Sequence, residues 1–101
     1  MSATQTSHVH MTVVHPGDLV FIDCFLGLIP AKLTGYTTWG YIKVRVTAQR
    51  RGYRRGEHTT VTPSHCIPRA HVRVRSGHER IFGAWMFDGL SDEFQPRWAW
   101  D

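Results

Sequence analysis

Little in this chain points to a covalent scaffold or to a membrane. Two cysteines, Cys24 and Cys66, are too few for a disulfide framework in 101 residues, and both are read as reduced, buried thiols. No run of about 18 apolar residues occurs, which argues against a helical membrane span. The N-terminus has no basic segment followed by an apolar one, which argues against a secretion signal, so the expected location is the cytoplasm. Lysine is scarce, at two residues against ten arginines, and low-complexity tracts are missing because the nine glycines and five prolines sit at punctuating positions. A chain this short holds one core, since cores rarely divide below roughly 150 residues.

The hydrophobic share of 42% and charged share of 20% are those of a globular domain. The net charge of +4 is unevenly spread. Residues 1–31 hold Asp18 and Asp23 and no Lys or Arg, a net −2; residues 32–80 hold eleven Lys or Arg against Glu57 and Glu79, a net +9; residues 81–101 are −3. Such asymmetry within one domain points to a charged partner, or to self-association between opposite patches.

Residues 1–12 carry no periodic apolar pattern and are expected to be a flexible arm. Pro16, Gly17 and Asp18 read as a turn opening a first strand, Leu19–Asp23; "CFLGLIP" follows as a connection, and "AKLTGYT" as a second strand in which Gly35 marks a bulge. The clearest signal is "YIKVRVTA", residues 41–48, where Ile42, Val44, Val46 and Ala48 alternate with Tyr41, Lys43, Arg45 and Thr47. "TTWG" makes these two strands a hairpin, and "TTVTP" is a short fourth strand. In "PSHCIPR", Ser64 is positioned to cap a single helical turn. The fifth strand, "RAHVRVRSG", places Ala70, Val72 and Val74 inward and Arg69, His71, Arg73 and Arg75 outward, so that two basic faces are expected to share one surface. Residues 77–101 form an aromatic, acidic C-terminal extension expected to pack on the domain spanning 13–76 or on a partner. The spacing of Ile81, Phe82, Trp85 and Met86 fits a helix that Gly83 and Gly89 weaken.

This all-β order of five short strands, with a one-turn helix before the last, resembles the Src-homology-3-like small barrels of the Tudor and KOW type. The resemblance rests on Gly17 and Asp18 opening the first strand, on Ala31, Lys32 and Leu33 in the second, and on Ser64–Cys66 before the last, and covers residues 15–75. It implies a closed five-stranded barrel. A Tudor domain that reads methyl-lysine also needs a cage of three or four rings. Phe25, Tyr36, Trp39, Tyr41 and Tyr53 are available, but strand spacing does not bring any three together. In size and arginine content the chain is similar to small phage-encoded proteins.

The candidate nucleic-acid-binding residues are Arg50, Arg51, Tyr53, Arg54 and Arg55 in the loop, with Lys43, Arg45, Arg73 and Arg75 on the strands. Guanidinium groups grip phosphate, and a ring stacks on a base or sugar; the plain alternative is a hairpin tip kept soluble by charge. The expected partner is DNA or RNA backbone, and no membrane. A protein partner or homo-oligomer is the alternative, with Trp98 and Trp100, which share one side of an extended tail, as anchors. No Cys-x-x-Cys or His-x₃-His spacing supports a metal, no cofactor motif is present, and Cys24, Cys66, Asp18 and Asp23 lack the partners a catalytic group needs, so no enzyme is expected.

Overall fold

The computed structural model describes residues 11–25, 27–96 and 98. Among them are nine strands: β1 (Met11–Val14), β2 (Leu19–Cys24), β3 (Gly27–Tyr36), β4 (Ile42–Val46), β5 (His58–Val61), β6 (Cys66–Pro68), β7 (Val72–Arg75), β8 (His78–Ile81) and β9 (Ala84–Phe87). The chain is all-β, with single turns of 3-10 helix at Pro63–His65, Arg69–His71 and Asp92–Phe94. No helix among the described residues is long and apolar enough to cross a membrane.

Strands β2 to β6 form one antiparallel sheet in the order β5-β4-β3-β2-β6. It starts at a turn that the sequence dictates: Pro16 and Gly17, the latter at φ +102°, lie between His15 and Asp18. The Asp18 amide donates to the His15 carbonyl at 3.0 Å, and the Asp18 carboxylate accepts from the His15 amide at 2.9 Å. β4 follows its alternation, with Ile42, Val44 and Val46 buried and Lys43 and Arg45 exposed. The bulge at Gly35 is present, as a register shift between Leu33 and Gly35 opposite β4.

Three expectations change. "CFLGLIP" is not a connection, because β2 runs to Cys24, which pairs with Gly27, and β3 continues through Leu28, Ile29 and Pro30. The run is apolar on both sides because Leu28 and Ile29 are both buried. The last strand of the sheet is Cys66–Pro68, and 69–75 does not belong to it: pairing with β2 stops at Val20–Pro68, the Arg69–His71 turn follows, and β7 pairs with β8 in a separate hairpin. Ile81, Phe82, Trp85 and Met86 do not share a helix, since Ile81 ends β8, Trp85 and Met86 lie in β9, and Gly83 at φ +83° separates the two strands in a conformation a helix cannot contain.

The five-stranded sheet is also not closed into a barrel. Its edges, β5 and β6, carry no ladder between them, yet only Thr62–His65 join them. In a flat sheet those edges stand about 19 Å apart, four strand spacings of about 4.8 Å, further than one 3-10 turn spans. The sheet is therefore strongly curled, and its concave side holds Val20, Ile22, Ile29, Ala31, Leu33 and Val44. Val14, Trp85, Phe87 and Leu90 fill the rest of that core. They come from β1 and from the C-terminal segment, where β9 runs parallel to β1 in the register Met11–Ala84 to Val14–Phe87. Of the arm expected over 1–12, Met11 and Thr12 are instead part of β1 and paired with β9, and residues 1–10 lie outside the described residues; the boundary expected between 76 and 77 falls at the tip of the β7–β8 hairpin.

A buried thiol and a half-buried hydroxyl give this core a pH limit. Burial pushes the Cys66 thiol from 9.0 to about 12. Burial, reinforced chiefly by the charge of Asp88, pushes the Tyr36 hydroxyl from 10.0 to about 12, while that hydroxyl donates to the Asp88 carbonyl at 2.7 Å. Each group stays neutral in the folded chain at a pH where it ionises in the unfolded one, so its contribution is complete at neutral pH and disappears as pH rises toward about 12. Denaturant midpoints compared below and above pH 10.0 are expected to fall on the alkaline side, and Tyr36→Phe to fall less steeply.

Candidate nucleic-acid interface

The convex side of the sheet is basic because of register. Lys32 on β3 lies opposite Arg45 on β4, which lies opposite His58 on β5, so the three stand in one row; Lys43 lies between Gly35 and Thr60. Lys43, Arg45 and His58 are exposed and Lys32 is half-buried. Directly opposed like charges destabilise an antiparallel pair. Lys32 was legible only as part of the Ala31-Lys32-Leu33 pattern, and its place beside Arg45 needed the register.

The loop between β4 and β5 is ordered by its own backbone. Arg50 and Tyr53 exchange amide-to-carbonyl bonds of 3.0 and 2.8 Å around Arg51 at φ +48° and Gly52 at φ +90°, a two-residue turn with both central residues left-handed. A second turn follows, in which the Glu57 amide donates to the Arg54 carbonyl and the Glu57 carboxylate accepts from the Arg54 amide, both at 3.0 Å. The one acid of the loop is thus occupied by backbone. Arg50, Arg51, Arg54 and Arg55 are exposed, and no lysine or arginine among the described residues forms a salt bridge; His15 Nδ1 lies 3.0 Å from the Asp88 carboxylate. Arginine at φ +48° is itself strained by about 1 kcal/mol. Arg51→Gly is therefore expected to raise stability by about 0.5–1 kcal/mol in thermal unfolding, and a simultaneous loss of nucleic-acid affinity marks the guanidinium as a ligand contact.

Arg50 and Arg69 both line a cleft beside Leu19, Phe21, Pro30 and Thr47. Tyr53 turns elsewhere. Its half-buried ring packs against the core and lines an open cleft of about 530 Å³ with Ile22, Asp23, Cys24, Phe25, Val61, Thr62 and His65. Phe25 is the only other aromatic ring of the five named above to line that cleft. Tyr36 is fixed on the Asp88 carbonyl, and Trp39, at 79% exposure, belongs to the turn before β4.

β7 does not lie in the same sheet as β4, so Arg73 and Arg75 stand on the β7–β8 hairpin and not on the sheet that carries Lys43 and Arg45. His71 faces inward, not outward, because the Arg69–His71 turn resets the alternation. It is buried between Phe82, whose ring stacks at 5.4 Å, and Trp85; its Nδ1 donates to the Phe82 carbonyl at 2.6 Å, and its Nε2 lies 2.7 Å from the Thr12 hydroxyl. Val74, expected in the core, is 69% exposed because the hairpin extends past the core. The pairing there brings Arg73 opposite Arg80 and Arg75 opposite His78. Arg80 and His78 were not among the residues the sequence singled out, because only pairing with β7 sets them beside Arg73 and Arg75. Arg73 is held over the Phe82 ring at 4.3 Å.

Of the two proposed partner anchors, Trp98 is half-buried and packs edge-to-face on Trp85 at 4.3 Å, and Trp100 lies outside the described residues. Ser64 does not cap its turn; Thr62 precedes it, with Pro63 as the first helical residue. Both cysteines are free thiols, with Cys66 buried and Cys24 donating to the Gly27 carbonyl at 3.1 Å. Comparison with protein-family models, with curated proteins and with solved structures gave no match to this chain.

Proposed function

We propose that the protein is a non-enzymatic, cytoplasmic nucleic-acid-binding domain that holds the phosphate backbone with little sequence preference. Its contacts are the outward residues Lys43 and Arg45 with Lys32, and the loop arginines Arg50, Arg51, Arg54 and Arg55. One observation carries this reading: a cation is set directly opposite a cation in the five-stranded sheet, Lys32 and Arg45, and in the β7–β8 hairpin, Arg73 and Arg80, and no acid among the described residues pairs with any lysine or arginine. Such an arrangement costs stability in the free protein, and a polyanion removes that cost. The Src-homology-3-like ancestry belongs to the same proposal, supported by the antiparallel order of the sheet and the one-turn helix between β5 and β6.

Salt titration of binding to mixed DNA and RNA tests it. Four phosphate contacts give a log-log slope of about −3.6 on duplex DNA. Equally poor retention of every nucleic acid at low and high salt removes the reading.

A second reading, a protein-interaction or self-assembling adaptor, is favoured by the exposed rings of Phe25 and Trp39 and by the exposed acids Asp92 and Glu93 opposite in sign to the sheet face. Light scattering that shows a salt-sensitive oligomer, lost on removal of residues 98–101, supports it.

A further inference from the structure

We infer that the β7–β8 hairpin is a groove-reading element that lays one face in the major groove of duplex DNA; this rests on the nucleic-acid reading above and names its preferred substrate. The hairpin is a two-stranded ribbon closed by Ser76 at φ +53° and Gly77 at φ +77°, a turn with no bulky side chain at its tip. From Arg73 to Ile81 every residue is exposed, so the ribbon stands clear of the core on both faces.

Those faces differ in kind. Residues paired across an antiparallel ladder point the same way and alternate along it. Arg73, Arg75, His78 and Arg80 therefore share one face, and Val72, Val74, Glu79 and Ile81 share the other. Only the first suits a polyanion, which fixes the orientation of the ribbon. The opposed pair Arg73–Arg80 has no acidic partner among the described residues, and the stacking of Arg73 on Phe82 holds one guanidinium in place before any ligand arrives.

Dimensions then choose the substrate. Two strands about 4.8 Å apart, about 14 Å long over four residue pairs, fit a B-form major groove about 12 Å wide and 8.5 Å deep, where arginine donates in pairs to guanine. The A-form major groove of duplex RNA is too narrow for such a ribbon, and a single strand has no groove to match.

Fluorescence anisotropy on one sequence as duplex DNA, duplex RNA and single-stranded DNA is the test, with the full chain and three variants checked for folding by circular dichroism. The wild type is expected to bind duplex DNA at least about tenfold more tightly than the other two, within the range one good bidentate base contact supplies. Arg75→Glu with Arg80→Glu is expected to abolish that preference and leave weak binding through the sheet face. Val74→Glu, on the opposite face, is expected to retain it. Equal affinity of the wild type for all three, or preference that survives the double variant, overturns the hairpin inference and leaves the broader reading standing. Loss of preference in Val74→Glu as large as in the double variant also overturns it, because both faces are then equivalent. Failure of the wild type to bind any nucleic acid overturns both readings.

Discussion

Replacing Lys43 and Arg45 together by glutamate is expected to weaken nucleic-acid binding at least tenfold and to make its log-log salt slope less steep by about 1.8, two phosphate contacts at about 0.9 each. The same variant is expected to keep or raise its melting temperature. Lys43 and Arg45 point outward from β4, and neither has an acidic partner among the described residues, so their removal leaves no buried group unsatisfied. Glutamate at 45 instead stands opposite Lys32, turning a pair of like charges into a pair of opposite ones, worth about 0.2–1 kcal/mol. Opposed movement of affinity and stability is the discriminating result. A merely solvated face predicts no change in binding, and a structural role predicts a lower melting temperature. Filter binding across a salt series, alongside thermal unfolding, reads both quantities on one preparation.

Gln95→Ala is expected to cost about 3 kcal/mol and lower the melting temperature by about 12–24 °C. β9 is paired with β1 along one edge, and the side chain of Gln95 serves the other. Its Oε1 accepts from the Phe87 amide at 3.0 Å, and its Nε2 donates to the Phe87 carbonyl at 2.7 Å and to the Leu90 carbonyl at 3.2 Å. Phe87 is fully buried, so truncation strands its peptide groups without water, the costly half of hydrogen-bond energetics. Gln95→Glu keeps the shape but, when ionised, cannot donate to either carbonyl. It is expected to be about as damaging at neutral pH and to recover partly in mild acid. Differential scanning calorimetry of both variants decides the matter, and a melting temperature within a few degrees of wild type for Gln95→Ala rules out this role.

Gln95 also shows where reading the chain alone stops. A polar residue between Phe94 and Pro96 has no local feature that marks it as buried; its partners lie eight and five residues back, and only the docking of the segment on the core makes them neighbours. His71 is similar. Its alternation with Val72 and Arg73 suggested an exposed cation, and the contacts that bury it come from Thr12, Phe82 and Trp85. Gly40 belongs with them, since a Cβ there collides with the ring of Phe94, more than fifty residues later.

By itself the sequence determined what is local. The turn at Pro16–Gly17, the alternation of β4, the bulge at Gly35 and the basic loop follow from backbone dihedrals and from a period of two, which neighbouring residues set without help from distant ones. Tertiary structure alone decided which edges pair: that β6 rather than β7 completes the sheet, that the sheet stays open, that Lys32, Arg45 and His58 form a row, and that Arg73 faces Arg80. Register between strands depends on turns and on which faces find a common core, and those are properties of the whole chain.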